Sequence, residues 1–121
     1  MAYFIRWHLP WLAMMGLIFW LSSIPDLSQS VFVFRLSDKL IHFLIFGILG
    51  WLTARGLNRC RVEGIQEHYL LFAGIMVIIF AATDEWHQSF VPGRFADWLD
   101  WLADTLGIIV FIFAYSRFKQ T

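Results

Sequence analysis

Four uninterrupted apolar runs constrain this chain more than any other feature of its sequence. They cover approximately residues 9–24, 40–54, 69–83 and 98–115. None shows the two-residue alternation of a half-buried β-strand, and within lipid only helices and closed barrels satisfy the backbone hydrogen bonds. Several runs are shorter than the roughly 20 residues of a straight span, so flanking residues are expected to complete them. We therefore predict an all-α integral membrane bundle of four transmembrane helices.

The composition supports one membrane domain, covering residues 1–121. Hydrophobic residues make up 60% of the chain and charged residues only 15%, which is typical of a membrane protein. The formal net charge is zero, so nothing indicates a nucleic-acid partner, and the lipid bilayer is the partner that we expect. Because Cys60 is the only cysteine, an intrachain disulfide and a cysteine-based metal site are both excluded.

The distribution of lysine and arginine predicts the orientation in the membrane. With a cytoplasmic N-terminus, six of the nine basic residues lie on the cytoplasmic side and three on the other side. The six are Arg6, Arg55, Arg59, Arg61, Arg117 and Lys119. We therefore predict a multi-pass protein of the cytoplasmic membrane with both termini cytoplasmic. The first run lacks a small-residue cleavage site, which favours an uncleaved span over a signal peptide.

Polar residues concentrate on the predicted extracytoplasmic side, which holds seven of the nine acidic residues. This side also contains the connection between the first two spans, residues 26–37. Its apolar stretch Val31-Phe32-Val33-Phe34 predicts an interfacial or re-entrant segment. Ionisable residues in or beside a bilayer are costly, so their accumulation here indicates a functional site.

Three carboxylates share one face of the fourth predicted helix. Asp97, Asp100 and Asp104 have the spacing i, i+3, i+7. Asp104 lies 13 residues before Arg117, which is about 20 Å along a helix and therefore within the hydrocarbon. A carboxylate at that depth must face the bundle interior or a wet cavity. Mutual repulsion favours a bound cation, whereas the structural alternative is a set of ion pairs, with Asp97 as the N-cap.

A second group of polar residues opens the second predicted helix. His42 lies one turn after Asp38 on the same helical face, with Lys39 beside them. A histidine in an otherwise apolar span, with a carboxylate one turn away, is a candidate for proton transfer.

A third group closes the third predicted helix. Asp84, His87 and Gln88 share one face, whereas Glu85 is expected to point elsewhere. A carboxylate and an imidazole one turn apart suit either metal ligation or general acid–base catalysis.

Arg94 follows a turn predicted by Pro92-Gly93. Its planar guanidinium could bind a phosphate or a carboxylate of a ligand. Pairing with Asp97, three residues further along the chain, is the alternative.

These residues together resemble the motifs of the VanZ-like family, and the resemblance extends over nearly the whole chain. It rests on Ser22-Ser23-Ile24-Pro25, Asp38-Lys39-x-x-His42, Asp84-Glu85-x-His87-Gln88, Phe90-x-Pro92-Gly93-Arg94, Asp97, Asp100 and Gly107. The resemblance implies a small polytopic bacterial membrane protein, and the family's namesake contributes to teicoplanin resistance. Asp104 departs from the family pattern, in which asparagine is expected at this position.

The first functional hypothesis is an intramembrane hydrolase or transferase acting on an anionic, lipid-linked substrate of the cell envelope, such as a polyprenyl-phosphate-linked intermediate. The expected catalytic residues are His42, His87, Glu85 and Asp84. The expected substrate-binding residues are Lys39, Arg94, Gln88 and Asp38. The expected ligands of a divalent metal ion are Asp84, Asp100 and Asp104. This hypothesis predicts that His42, His87, Asp84 and Asp100 converge on one point.

Two other functions remain open. The same polar residues could form a binding module for an envelope lipid, a glycan or a glycopeptide without any chemistry. A proton-coupled transporter is the least favoured alternative, because the inner halves of the predicted spans carry no ionisable residue to continue a path.

Overall fold

The computed structural model describes residues 1–25 and 35–119, without the side chains of residues 35–37. In chain order its helices are α1 (Ala2–Trp7), α2 (Leu9–Ser22), α3 (Arg35–Leu57), α4 (Glu63–Glu67), α5 (Tyr69–Gln88) and α6 (Trp98–Phe118). No strand occurs in these described ranges, so the prediction of an all-α protein is confirmed. The predicted interfacial or re-entrant segment falls largely on residues 26–34, which lie outside the described residues.

Three helices are long and apolar enough to cross a membrane. The spanning stretches are Asp38–Leu57, Tyr69–Gln88 and Trp98–Phe118, which belong to α3, α5 and α6. The helix α2 is equally apolar but has only 14 residues. Its length of about 21 Å is less than the roughly 30 Å of the hydrocarbon core. The chain is therefore a helical membrane protein with three helices of spanning length and a shorter apolar helix.

The helices α3 and α6 form the closest pair in the bundle. A Cβ atom at Gly107 of α6 would overlap the carbonyl group and Cα of Phe43 in α3. The backbones of the two helices therefore approach each other at a point where only glycine fits, as is common between membrane helices. The helix α5 packs against both, and α2 lies against α3 and α5.

The buried side chains are apolar in the middle of the bundle and polar at one end. Apolar side chains such as Leu49, Val77 and Ile108 fill the middle and are fully buried. The start of α3, the end of α5 and the start of α6 meet at one end, where buried polar residues replace them. The opposite end holds α1, α4 and the end of α6. Leu71, Ile75 and Ile79 on the outer face of α5 are exposed, which suits contact with lipid.

Candidate functional site

Four buried carboxyl groups occupy the polar end of the bundle. Asp104 is fully buried, and Asp84, Glu85 and Asp100 are at most 7% exposed. Asp84 and Glu85 belong to the last turn of α5, and Asp100 and Asp104 to the first two turns of α6. Buried carboxylates need ion pairs, hydrogen bonds or a metal ion, so the contacts of each group decide what the site can do.

Lys39 of α3 bridges the carboxylates at the start of α6. Its Nζ donates a hydrogen bond of 2.9 Å to Asp97 Oδ2 and another to Asp100 Oδ1. The same nitrogen lies 3.6 Å from Asp38 Oδ2. Lys39, expected from the sequence to bind substrate, is thus already paired with three carboxylates of the protein.

His42 lies between carboxylates on both edges of its ring. Its Nδ1 is 2.8 Å from Asp104 Oδ1, which is a hydrogen bond. On the other edge, Nε2 is 3.8 Å from Asp38 Oδ1 and 3.7 Å from Asp100 Oδ2, and both distances are too long for hydrogen bonds. The ring is parallel to that of Phe46, with 6.3 Å between the ring centroids. We call His42 and its neighbours Asp38, Lys39, Glu85, Asp100 and Asp104 the His42 cluster.

Two groups of three side chains in this cluster could hold a metal ion. They are Asp38, His42 and Asp100, and His42, Glu85 and Asp104, with the ligand atoms of each group within 4.8 Å of one another. Lys39 already supplies a positive charge to the first group. In the second group Glu85 Oε1 and Asp104 Oδ2 are buried without a hydrogen-bond partner, and such atoms call for a bound ion, a water or a proton.

These two groups differ from the predicted set of metal ligands, Asp84, Asp100 and Asp104. Asp100 and Asp104 fall in different groups, and Asp84 belongs to neither. Glu85, expected to point away from the face of Asp84, His87 and Gln88, does so and faces α6, where its Oε2 accepts a hydrogen bond of 3.2 Å from the backbone N–H of Asp97. The physical reason is that α5 has neighbours on two sides, so consecutive residues at its end face different helices.

Asp84, His87 and Gln88 contact α2. Asp84 Oδ2 accepts hydrogen bonds from Ser22 Oγ at 2.9 Å and from Gln88 Nε2 at 3.4 Å. His87 Nε2 lies 2.9 Å from Ser23 Oγ, and its ring stacks on Phe19 with 4.4 Å between centroids. Ser23 Oγ donates its only hydrogen to the carbonyl of Phe19, so His87 Nε2 is the donor to Ser23. We call Ser22, Ser23, Asp84, His87 and Gln88 the α2-facing cluster.

Of the four residues expected to converge on one point, only two lie together. His42 and Asp100 face each other, whereas Asp84 and His87 make their hydrogen bonds with α2. Sequence reasoning also missed Ser22 and Ser23 as partners of these groups. Their sequence signals were their position at the polar end of the first apolar run and the Ser22-Ser23-Ile24-Pro25 motif of the family resemblance.

Arg94 and Asp97 both act at helix ends. Gly93 has a φ of 77°, the left-handed region that favours glycine, and it turns the chain back towards α2. Arg94 Nε and Nη2 donate hydrogen bonds of 3.0 and 2.7 Å to the carbonyls of Ile24 and Leu21. The guanidinium thus satisfies carbonyls at the end of α2, and no ion pair between Arg94 and Asp97 occurs among the described side chains. Asp97 is the N-cap of α6, accepting from the N–H of Leu99 at 2.9 Å.

Replacing Arg94 with methionine is expected to lower the free energy of unfolding by about 1–2 kcal/mol, because two carbonyls at the end of α2 lose a charged donor. Chemical unfolding in detergent micelles measures this change. Arg117→Met removes an exposed arginine at the opposite end and should have almost no effect. Equal stability of the two variants would contradict the capping role.

A family model described as VanZ/LLP1 matches residues 1–119 of the chain. The matched range includes every residue of the His42 cluster and of the α2-facing cluster. A search of curated proteins found no match, and a search of solved structures found none either.

Proposed function

The chain belongs to the VanZ/LLP1 family, and we propose that it is a metal-dependent intramembrane hydrolase or transferase of the cell envelope. Its substrate is an anionic, lipid-linked molecule such as a polyprenyl-phosphate-linked intermediate. We place it in the cytoplasmic membrane with α2 as a fourth, short span. Both termini are cytoplasmic and the polar end faces the extracytoplasmic side, since the basic residues concentrate at the end of the termini.

One observation carries this proposal: two buried carboxylate oxygens beside His42 have no partner. They are Glu85 Oε1 and Asp104 Oδ2. Burying a carboxylate oxygen without a partner destabilises the fold by several times the net free energy that an ordinary hydrogen bond contributes. A divalent ion held by His42, Glu85 and Asp104 would remove this cost for both oxygens together.

The charge balance of the polar end also favours a cation. Among the described side chains this end has six carboxyl groups and only two residues of permanent positive charge, Lys39 and Arg94. A divalent ion would reduce this difference by two charges, and carboxylates with one imidazole suit a zinc or manganese ion.

The remaining residues fit roles around such an ion. The second ring nitrogen of His42 lies 3.8 Å from Asp38 Oδ1 and 3.7 Å from Asp100 Oδ2, so a small approach of either carboxylate would orient a metal-binding imidazole, and Lys39 contacts both carboxylates. His42, Glu85 and Asp104 would hold the ion, which would supply Lewis-acid stabilisation of charge on a phosphoryl group. Asp84, whose Oδ1 has no partner while Oδ2 accepts from Ser22, would take the proton of the attacking hydroxyl group and pass it to the oxygen that leaves as its bond to phosphorus breaks.

The two basic side chains of the polar end, Lys39 and Arg94, affect how an anionic substrate would bind. Lys39 and Arg94 already donate to carboxylates and carbonyls of the protein, so the phosphate would bind chiefly through the metal ion. A contribution to teicoplanin resistance, which the family resemblance implies, would operate through the same envelope substrate.

A non-enzymatic module that binds an envelope lipid, a glycan or a glycopeptide is the second candidate. The observation that favours it is the pairing of Lys39 with Asp97 and Asp100, because a site whose charges are already paired can hold a ligand without reacting.

Metal content tests the proposal directly. Purified protein is incubated with Zn²⁺, Mn²⁺ or Mg²⁺, desalted, and analysed by elemental mass spectrometry. We expect about one ion of Zn²⁺ or Mn²⁺ per chain. Glu85→Gln and Asp104→Asn should weaken binding by about tenfold or more. Glu67→Gln, an exposed acid on α4 at the opposite end, is the matched control and should bind like the wild type.

Turnover of a polyprenyl-phosphate-linked substrate then separates the two candidate functions. Metal-dependent appearance of a product in mass spectra supports the enzyme, whereas retention of the substrate without any product supports the binding module. A wild-type protein that retains no divalent ion would overturn the metal-dependent proposal.

A further inference from the structure

Three guanidinium groups gather around one indole ring at the end of the bundle that carries the termini. The Cζ atoms of Arg6, Arg55 and Arg59 lie 4.9, 4.5 and 5.1 Å from the ring centroid of Trp7. We call these four residues the arginine–tryptophan cluster. Within residues 1–25 and 35–119, none of its arginines forms an ion pair with a carboxylate. Three positive charges therefore converge without a counter-charge from the described protein.

The close packing of α1 and α2 on α3 creates this convergence. A Cβ atom at Gly56 would lie 2.6 Å from the carbonyl oxygen of Trp7 and 2.7 Å from the ring of Trp11. Glycine at this position therefore lets Trp7 lie against α3 between Arg55 and Arg59, which are one helical turn apart. Arg55 is further fixed by a hydrogen bond of 3.0 Å from Nη1 to the carbonyl of Arg6.

Cation–π contacts with the indole ring offset part of the electrostatic repulsion among the three arginines but do not neutralise their positive charge. Each cation–π contact contributes about 0.5–1 kcal/mol at an exposed site and adds no negative charge. Arg6 and Arg59 are exposed and Arg55 is partly exposed, so their remaining N–H groups face the surroundings. Guanidinium groups in this state are suited to bidentate binding of a phosphate.

An open pocket of about 330 Å³ lies at the same end. Its lining is mainly apolar and aromatic and includes Met1, Tyr3, Phe4 and Val62. The pocket also contains Arg61, whose Cζ lies 4.4 Å from the ring centroid of Tyr3. An apolar pocket with basic groups near it matches a ligand that has both an anionic group and a hydrocarbon chain.

The position of the cluster and the pocket in the bundle indicates whether the bound ligand is a soluble anion or a lipid. The arginine–tryptophan cluster lies at the end of α3, one of the helices of spanning length. The ends of such helices lie at the level of the lipid headgroups. We propose that the arginine–tryptophan cluster binds the phosphate of an anionic phospholipid, with part of an acyl chain in the apolar pocket at the same end of the bundle. This site lies at the opposite end from the His42 cluster and does not depend on the proposed function.

Native mass spectrometry of the purified protein tests this site. The full chain is released from micelles containing phosphatidylglycerol, phosphatidylcholine or inorganic phosphate, and bound molecules are counted. We expect retention of phosphatidylglycerol only. The double variant Arg55→Gln/Arg59→Gln should reduce this retention by about tenfold or more, because it removes two guanidinium groups that would form charge-assisted hydrogen bonds to the phosphate.

The matched control is Arg117→Gln/Lys119→Gln, which removes two positive charges at the same end but outside the arginine–tryptophan cluster. It should retain phosphatidylglycerol like the wild type. An equal loss in both double variants would show a diffuse charge effect and overturn the site. Retention of inorganic phosphate alone would replace the lipid by a free anion, and unchanged retention in Arg55→Gln/Arg59→Gln would also overturn the proposal. Circular dichroism spectra of all variants establish that each has folded.

Discussion

Replacing Lys39 with methionine is expected to lower the free energy of unfolding by about 3 kcal/mol. The substitution keeps the aliphatic stem but removes the ammonium group that contacts Asp97 and Asp100. Asp100 is buried, so its carboxylate would remain in the bundle without a partner of opposite charge. Removing one member of a buried ion pair costs about 3–5 kcal/mol, and the partial exposure of Lys39 places the effect at the lower end. Unfolding in mixed micelles measures it.

A double-mutant cycle distinguishes loss of the Lys39–Asp100 ion pair from the general effect on stability of removing a charge. Lys39→Met/Asp100→Asn should be more stable than Lys39→Met alone, because no carboxylate remains at position 100. Arg117→Met, which removes an exposed basic residue at the opposite end, should have little effect. A Lys39→Met protein as stable as Arg117→Met, or a cycle without coupling, would contradict the buried pair.

Substituting Gly107 by alanine is also expected to lower the free energy of unfolding, by about 3 kcal/mol relative to the wild type. The added Cβ would overlap the carbonyl group and Cα of Phe43, and backbone atoms cannot move aside as the end of a flexible side chain can. The helices α3 and α6 would have to separate, which loosens the most extensive contact in the bundle. The free energy of unfolding in micelles, compared with the wild type, measures the cost.

Gly16→Ala provides the control for this second substitution. Gly16 lies within α2, and a Cβ atom there would meet nothing within 4 Å. Alanine should therefore leave stability unchanged, or raise it by up to about 1 kcal/mol through its higher helix propensity. A Gly107→Ala protein that unfolds like Gly16→Ala would show that the two backbones do not approach closely.

The spanning helices could be predicted from the sequence because each is a long apolar run. The runs near residues 40–54, 69–83 and 98–115 correspond to α3, α5 and α6, which extend them at one or both ends. The first run corresponds to α2, which ends at Ser22 and is short for a span. Apolar composition predicts that a segment enters lipid, but it does not fix how many residues the helix contains.

The site could be predicted only in part, because helical periodicity identifies a face but not its neighbour. The spacing of Asp100 and Asp104 placed both on the inner face of α6, and His42 likewise turned inward from α3. The end of α5, however, is covered on two sides, by α2 and by α6. Whether Asp84 or Glu85 meets His42 therefore depends on the arrangement of the helices. The role of Arg94 likewise depends on where α2 ends in space.

The two ends of α2 are attached in different ways, and this difference determines how the helix can move. Near Gly56 the attachment is close steric contact, whereas beside α5 it combines the hydrogen bonds of Ser22, Ser23 and Arg94 with the stacking of Phe19 on His87. Hydrogen bonds can be exchanged for bonds to water or to a ligand, but tight steric contact has no such substitute. A ligand that took over these hydrogen bonds would therefore separate α2 from α5 at the acidic end and open Asp84 to the bilayer, while the end near Gly56 stayed in place.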